Sequence, residues 1–203
     1  EYPQNPFTFP IKPGQQGYLA GTFGELRSNH FHSGIDIKTG GREGLNVYAA
    51  SDGYVSRIKI QVHGYGKAIY IDHPNGYTTV YAHLKNYTPT IDSIIRAIQY
   101  KNKSYEINYF PTKGSIKVKK GEVIATSGNT GGSMGPHLHF EIRNKKQEPI
   151  NPLLFGFSEI KDNVPPTIKN IAITPLSINS RINGEFNETV FKTKSSKKGK
   201  YTL

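Results

Sequence analysis

Cysteine is absent from the 203 residues, which excludes disulfide bonds and metal sites built from thiolates. This absence does not indicate a redox compartment, because exported proteins can lack cysteine too. Long apolar runs are also absent, so we expect no helix that spans a membrane. The chain opens with EYPQNPFTFP, which has neither a methionine nor the apolar core of a signal peptide, and this favours a mature or trimmed sequence.

Acidic residues are scarce relative to basic ones, with 15 Asp and Glu against 26 Lys and Arg and a net charge of +11. A basic balance favours anionic partners such as nucleic acid, an anionic lipid surface or an acidic cell-wall polymer. The sequence shows no basic helix and no arginines interleaved with aromatic residues, the pattern that stacks on bases. We therefore expect no nucleic-acid partner and interpret the lysine-rich segments 101–120 and 192–200 as solvated surface.

Long helical patterns are few, whereas 21 glycines and 13 prolines provide many turns. Residues 45–84 consist of short alternating runs, and Asn75-Gly76 between two of them is a strong hairpin signal. A second hairpin is predicted over 116–128. The only convincing helix is predicted over 90–100, where isoleucines recur at helical spacing. The predicted fold class is mainly β, with antiparallel sheets and one inserted helix.

Composition divides the chain into predicted segments. Residues 1–22 form an irregular lead-in whose prolines limit strand pairing. Residues 23–157 form the main domain, and residues 86–115 are an insertion within it. After NPLLFGF the composition shifts, and residues 158–203 contain a proline pair followed by alternating residues. Two interpretations of that segment are open: the start of a β-sandwich domain, and a C-terminal β extension packed on the main domain.

The segment GPHLHFEI contains the densest group of chemically active side chains. On a strand, His137, His139 and Glu141 share one face, and the apolar residues between them share the other. The apolar face suits a core, so the polar face must line a cavity or meet solvent. Two imidazoles beside a carboxylate form a platform for a metal ion or for acid–base chemistry, although surface histidines at this spacing are common.

Two further segments add histidines. In VYAHL, alternation places Tyr81 and His83 on one face of a strand, and His83 taken alone would most often be a half-buried, hydrogen-bonded residue. In NHFHSGID, a straight strand would place the Cα atoms of His32 and Asp36 roughly 13 Å apart, which is long for two ligands of one ion. The backbone must therefore bend between them, and Gly34 permits a bend.

Together these segments resemble the LytM/lysostaphin-type zinc endopeptidases over residues 23–152. The motifs that carry the resemblance are, in chain order, HSGIDI, VYAASDGYV, GYGKAIYIDHPNGYTTVYAHL, VKKGEVIATSGNTGGSMGPHLHFEI and NPLLF. Motifs of this length in this order are specific. The resemblance implies a metallopeptidase domain built as an antiparallel β-sheet or hybrid barrel.

The resemblance also implies the site. It implies one Zn²⁺ per chain, bound by His32 and Asp36 of the HxxxD motif and by His139, the second histidine of HLH. It implies a catalytic pair, His83 and His137. Such a site would hydrolyse peptide cross-links of bacterial peptidoglycan, with a zinc-bound water as the nucleophile. The expected partners are peptidoglycan stem peptides or cross-bridges, and the expected location is the periplasm, the cell envelope or the extracellular medium.

The other histidines and the glycine-rich loop take lesser roles in this interpretation. His30 is a neighbour of the site that could line the groove, whereas His63 and His73 are expected to be surface or turn residues. Residues 127–137, SGNTGGSMGPH, are expected to form a wall of the groove where a substrate backbone approaches closely. A phosphate-binding loop is rejected, because GxxxxGK[ST] and a following helix are absent from this stretch.

Two other functions compete with hydrolysis. A non-catalytic member of the same fold would bind the cell wall or activate an amidase, but such members usually lose metal ligands and this sequence keeps every one. A lipoyl- or biotinyl-carrier barrel would present a modified lysine at a hairpin tip, as Lys119-Lys120 could, but a carrier needs neither HxxxD nor HLH. Bound metal and activity on peptidoglycan separate the three functions.

The insertion at residues 86–115 is predicted to shape the groove. In the family the YAHL strand usually reaches the following hairpin through a short connection, and connections longer than about 15 residues are usually functional or disordered. This connection carries enough isoleucine and aromatic residues to be ordered. It starts three residues after His83, so we expect a wall or lid beside the groove, with a decoration packed away from the groove as the alternative.

Overall fold

The short alternating segments of the sequence become strands in the computed structural model of the chain. The chain divides into two units, Glu1–Lys161 and Asp162–Leu203. The first unit contains every residue of the predicted site. The structure describes residues 2–4, 6–28, 30–161, 167–197 and 200–202.

The described residues of the first unit form twelve strands, one α-helix and one short 3-10 helix. The helix, α1, comprises Pro89–Asn102, and the 3-10 helix comprises Pro152–Phe155. The strands are, in chain order, β1 (Leu19–Gly21), β2 (Ile35–Lys38), β3 (Asn46–Tyr48), β4 (Gly53–Ile60), β5 (Lys67–Asp72), β6 (Thr78–Ala82), β7 (Leu84–Tyr87), β8 (Ile107–Tyr109), β9 (Lys117–Val118), β10 (Val123–Ser127), β11 (His137–Arg143) and β12 (Pro149–Ile150).

One large antiparallel sheet contains nine of these strands. Its order is β1-β2-β11-β6-β5-β4-β8, with β12 paired to β11 and β9 paired to β4. A smaller antiparallel sheet has the order β3-β10-β7. The prediction of a mainly β fold with antiparallel sheets and one helix is confirmed.

The core is formed by apolar side chains from both sheets and from α1. On β11, Leu138, Phe140 and Ile142 are fully buried in this core, as their alternation with polar residues predicts. Each fully buried side chain of this size contributes about 1.5–3 kcal/mol to folding. The N-terminal segment joins the same core through Phe7 and Phe9. The core therefore holds β11 rigidly from one side while its other face carries the polar residues.

One of the two predicted hairpins is present. β5 and β6 pair directly on either side of the turn that contains Asn75-Gly76. The predicted hairpin over 116–128 is wrong, because β9 pairs with β4 in the large sheet, whereas β10 pairs with β3 and β7 in the small one. Alternating apolar residues report that a strand is half buried, and they do not report which strand it joins.

The helix α1 is longer than the predicted range 90–100. It starts at Pro89, whose fixed φ and missing N–H suit the first turn of a helix, and it ends before Lys103, which has a left-handed φ of 50°. Ile91 and Ile95 are buried, so one stripe of the helix belongs to the core. After α1 the chain adds β8 to the free side of β4, at one edge of the large sheet.

The second unit contains two separate two-stranded antiparallel hairpins among its described residues. Its strands are β13 (Asn170–Ile173), β14 (Thr189–Lys192), β15 (Lys194–Lys197) and β16 (Lys200–Thr202). Apolar residues of the first hairpin, including Ile171, Ile173 and Val190, are exposed. In the part of the chain that the structure describes, no helix has the length and apolar character needed to cross a membrane.

His73 lies at the start of the β5–β6 turn, but its side chain is buried rather than exposed. Its Nδ1 lies 2.8 Å from the carbonyl oxygen of Asp52 and must donate to it, so the neutral ring accepts a hydrogen bond at Nε2 from the Thr79 hydroxyl, 2.8 Å away. Burial lowers the pKa of His73 below its ordinary value of 6.5. His63, by contrast, is exposed in a bend, as predicted.

His73 should make the protein less stable in mild acid. Because its folded pKa is lowered, the unfolded chain binds the proton first, and the stability contributed by the neutral ring is lost as pH falls below about 6.5. His73→Gln removes this titration. The substitution should therefore destabilise the protein more at about pH 7.5 than at about pH 5.5.

Urea unfolding of both proteins at the two pH values measures the effect. Groups other than His73 titrate in both proteins, so the difference in the free energy of unfolding between them isolates His73. A difference that does not change with pH would contradict the assignment of a buried neutral histidine.

Candidate metal centre

The candidate ligands come from two adjacent strands and from the loop before one of them. β2 pairs with β11 so that Asp36 lies directly opposite His139. The backbone bends at Gly34, which brings His32 to the same place, so the predicted bend is present. A Cβ at Gly34 would overlap the carbonyl oxygen of Phe140, so only glycine allows the loop to pack this closely on β11.

Three donor atoms converge at this place. His32 Nε2 lies 3.1 Å from Asp36 Oδ1 and 3.0 Å from His139 Nδ1. His139 Nδ1 lies 3.0 Å from Asp36 Oδ1. Ligands of a tetrahedral ion with bonds of about 2 Å would be roughly 3.3 Å apart, so the three separations fit a zinc ion. All three residues are buried, and among the described residues they form the only such group of His, Cys, Asp and Glu.

Hydrogen bonds fix which nitrogen of each ring faces the centre. His32 Nδ1 lies 2.7 Å from the carbonyl oxygen of Thr22, and His139 Nε2 lies 2.9 Å from Glu141 Oε1. Since both partners only accept, each of these nitrogens must carry the hydrogen. His32 Nε2 and His139 Nδ1 therefore present lone pairs to each other and to a carboxylate oxygen. This arrangement repels unless a cation lies between the three atoms, and nitrogen and oxygen donors suit Zn²⁺.

A proton is the competitor of a metal ion at this place. Burial alone would lower the pKa of His139, but hydrogen bonds to Asp36 and Glu141 outweigh it and raise the pKa to about 9. Burial would also raise the pKa of Asp36, but the imidazoles of His137, His139 and His32, when they carry this competing proton, donate to the carboxylate and hold its pKa well below its usual range. The carboxylate is thus ionised at neutral pH and available as a ligand.

Arg27 neutralises the second oxygen of the Asp36 carboxylate. Its Nη2 donates to Asp36 Oδ2 over 2.8 Å and to Glu25 Oε2 over 3.0 Å. The arginine therefore orients Asp36 so that Oδ1 faces the two histidines. No motif in the sequence indicates this role of Arg27.

Glu141 is buried behind His139 and accepts hydrogen bonds from four side chains, a role that no motif in the sequence indicates. Its side chain is fully buried, and Oε1 accepts from the Ser33 and Tyr65 hydroxyls as well as from His139, while Oε2 accepts from Arg143 Nε at 2.6 Å. Burial would raise the pKa of Glu141, but His139 and Arg143 lower it to about 2. The carboxylate therefore remains charged and fixes the ring orientation of His139.

Replacing Glu141 with glutamine should weaken metal binding. The amide removes the charge that holds the His139 Nε2–H, and loss of such a partner typically lowers metal affinity roughly 10- to 100-fold. Competition for zinc with a chromogenic chelator measures this affinity. Glu148→Gln, which changes an exposed carboxylate beyond β11, is the matched control. Unchanged affinity in a folded Glu141→Gln protein would contradict the role given to Glu141.

His83 and His137 lie beside the three donors. Their ring centroids are 4.7 Å apart. His83 Nδ1 donates to the carbonyl oxygen of Thr130 and His137 Nδ1 to that of Gly135, each over 2.8 Å. Both rings line the groove, and His137 Nε2 lies 3.4 Å from Asp36 Oδ1. Burial is the main cause that lowers the pKa of His83 to about 4, so this ring is neutral at neutral pH.

The prediction that Tyr81 and His83 share a polar face is wrong. Tyr81 is fully buried and its ring packs on Phe140 in the core. His83 follows the end of β6 and has a left-handed φ of 57°, which breaks the strand alternation and directs its side chain into the groove. A non-glycine residue in this region is strained by roughly 1–3 kcal/mol, and such strain concentrates at functional sites.

The three donor residues, together with His83 and His137, line an open groove of about 740 Å³. Its lining includes His30, as predicted, together with Tyr65 and Lys38. Residues 132–136 of the glycine-rich loop also line it, so the prediction of a groove wall in this loop is confirmed.

The predicted lid is not beside the groove. None of residues 86–115, all of which the structure describes, lines the cavity. Three strands, β6, β5 and β4, separate β11 from β8 in the sheet order, so the end of the insertion lies at the far edge. The insertion starts close to His83 in the sequence, but this closeness does not predict where the insertion packs. The apolar stripe of α1 faces the core instead of the groove.

Two histidines and one aspartate with converging donor atoms, beside two further imidazoles in a groove, match the ligand number of a catalytic zinc site. The model of Peptidase family M23 matches residues 30–99 and 98–152, which together cover more than half of the sequence. The chain belongs to peptidase family M23, a family of metallopeptidases.

Two relatives agree with this membership, and a solved structure has the same fold. The DD-carboxypeptidase/endopeptidase Mpg of Neisseria meningitidis is 34% identical over 128 residues, 63% of this chain and 23% of the relative. The murein hydrolase activator NlpD of Escherichia coli is 35% identical over 140 residues, 69% of this chain and 29% of the relative. The chain thus spans less than a third of the length of these relatives. The catalytic domain of lysostaphin from Staphylococcus simulans has the same fold, with a TM-score of 0.52 and 23% identity over 68% of this chain and 91% of that structure.

Proposed function

We propose that the chain is a zinc-dependent endopeptidase that hydrolyses peptide cross-links of bacterial peptidoglycan. The observation that carries the proposal is the convergence of His32 Nε2, Asp36 Oδ1 and His139 Nδ1 beside two further imidazoles in an open groove. We assign the activity to residues 23–157, which lie within the first unit. The expected location is outside the cytoplasm, where peptidoglycan lies.

The metal would be held by His32, Asp36 and His139. When bound, Zn²⁺ would supply a water with a pKa of about 7, low enough to provide a nucleophile for a peptide carbonyl at neutral pH. Arg27 and Glu141 keep the Asp36 carboxylate and the His139 ring in the orientation that this requires.

His83 and His137 supply the proton chemistry in this proposal. With Nδ1 of each ring donating to a carbonyl, Nε2 of the neutral ring is the atom that can accept a proton. One ring accepts the proton of the attacking water at Nε2 and delivers it to the leaving amine. The other ring takes up a proton from solvent at Nε2, donates it in a hydrogen bond to the carbonyl oxygen as negative charge develops there, and returns it to solvent after cleavage. The low pKa of His83 keeps its Nε2 unprotonated at neutral pH.

The relatives support peptidoglycan as the substrate. One is named a DD-carboxypeptidase/endopeptidase and the other a murein hydrolase activator. The second name also supports the alternative function, in which the chain would bind the cell wall or activate an amidase without hydrolysis. We favour hydrolysis because an activator needs neither three converging donors nor two histidines with anchored rings.

Digestion of purified peptidoglycan distinguishes the two functions. The zinc-loaded protein alone should release soluble fragments, the activity should be lost with a chelator, and added zinc should restore it. A folded, zinc-loaded protein that releases nothing alone but stimulates a purified amidase would establish the alternative.

A further inference from the structure

We propose that Lys38 binds a carboxylate of the substrate, so that the groove selects anionic peptide cross-links over uncharged ones. The inference rests on the proposed function, because it assigns a substrate class to the same groove. It concerns one side chain that lines the groove and has no part in holding the metal.

The sheet places Lys38 beside the reacting groups. Lys38 follows Asp36 by two residues on β2, so both side chains lie on the same face of the sheet. In the pairing of β2 with β11, Lys38 lies directly opposite His137, just as Asp36 lies opposite His139. The side chain is exposed and lines the groove. A substrate bound next to His137 therefore passes within reach of the ammonium group.

The charges of the groove favour a negative ligand. Among the described residues that line it, Asp36 is the only carboxylate, and that carboxylate is already engaged by Arg27 and the histidines. No hydrogen bond or ion pair of the Lys38 ammonium with another described side chain is found, whereas Arg27 is paired with Glu25 as well as with Asp36. Lys38 is thus a cation in a partly enclosed groove, and none of the described residues supplies an anion that neutralises it.

The position of Lys38 also indicates which carboxylate it would bind. His137 is one of the two groups that can protonate the leaving amine, so the strand position opposite it is close to the residue that carries this amine. A carboxylate on the carbon next to that nitrogen would reach Lys38. Cross-links between D-alanine and diaminopimelate have a carboxylate there, whereas the internal residues of an oligoglycine bridge have none. The groove chemistry therefore favours the first kind of cross-link.

A matched pair of substrates tests the inference. One is a cross-linked muropeptide dimer with a free carboxylate next to the scissile amide, and the other carries a carboxamide at the same position. We expect the zinc-loaded protein to prefer the carboxylate roughly tenfold in kcat/KM, as for one charge-assisted hydrogen bond. Lys38→Met should abolish the preference by slowing cleavage of the carboxylate substrate alone. Lys38→Arg should retain most of it, and added salt should reduce it.

Lys117→Met provides the control, because Lys117 is also an exposed lysine on a strand of the large sheet but does not line the groove. It should leave the preference unchanged. Equal rates of the unmodified protein on both substrates, or an equal loss on both in Lys38→Met, would overturn the role of Lys38.

Failure of the proposed function is recognised separately. If the zinc-loaded protein cleaves neither dimer, calorimetric binding of the same two dimers still tests whether Lys38 binds the carboxylate. Tighter binding of the carboxylate dimer that is lost in Lys38→Met supports the inference without hydrolysis. Equal binding of both dimers, or no binding of either, rejects it.

Discussion

Replacing His32, Asp36 or His139 with alanine is expected to reduce bound zinc from about one ion per chain to a small fraction of that. Each substitution removes one of three converging donors. The two that remain cannot close a tetrahedral site, because water would have to supply half of the ligands. Metal analysis of the purified, dialysed proteins measures this effect, and their circular dichroism shows whether each variant is folded.

His30→Ala is the matched control for this prediction. His30 lines the same groove and is two residues from His32, but it is not one of the three converging residues. It should keep about one zinc per chain. Loss of zinc in His30→Ala together with normal zinc in His32→Ala would show that the ligand assignment is wrong.

His83→Ala and His137→Ala should keep zinc and lose activity by a factor on the order of 10²–10⁴, the contribution of a general acid–base group. Neither residue is one of the three donors, but each has a ring on the groove. The activity measured is kcat/KM on a cross-linked muropeptide, at equal zinc content. His63→Ala, which changes an exposed histidine outside the groove, should remain fully active.

Near-normal turnover by either variant would remove that residue from the mechanism. A loss of zinc in either variant would instead indicate that the replaced residue helps to bind the metal. The pH profile adds a separate check. If a group must be neutral to accept a proton, the activity of the enzyme falls as pH falls through the pKa of that group. The pKa of His83 is lowered to about 4. Deprotonation of His83 should therefore not limit activity near neutral pH.

The part of the site on β11 could be predicted from sequence because a strand alternates strictly. His137, His139 and Glu141 do share one face, and the apolar residues between them do enter the core. The bend at Gly34 could be predicted from reach alone, since a straight strand would separate His32 from Asp36 too far. The same reasoning failed at His83, where a left-handed backbone conformation interrupts the alternation. Nothing in VYAHL indicates a positive φ at a histidine.

The supporting residues could not be found in the sequence for a different reason. Glu141 was placed on the correct face, but its role depends on Ser33 and Tyr65, which are distant in sequence, as well as on Arg143, two residues further along β11. Arg27 binds Asp36 across the fold of the loop that precedes β2. Contacts of this kind follow from tertiary packing, which local spacing does not encode.

The insertion shows the same limit at a larger scale. The isoleucines and aromatic residues of the insertion could predict that it is ordered and that it contains a single helix. Its location could not be predicted, because the chain position next to His83 specifies where the insertion starts and not which edge of the sheet receives it. The structure pairs β8 with β4 at the edge away from the groove. The hairpin predicted over 116–128 failed in the same way, since its two strands joined different sheets.

Mass spectrometry of the muropeptides released from purified sacculi tests the central claim most directly. Zinc-loaded protein should convert cross-linked dimers into monomers, with one molecule of water added for each bond cleaved, and the chelated protein and His137→Ala should leave the dimers intact. Dimers that persist with folded, zinc-loaded protein, or products cut in the glycan strands instead of the peptides, would contradict an endopeptidase that acts on peptidoglycan cross-links.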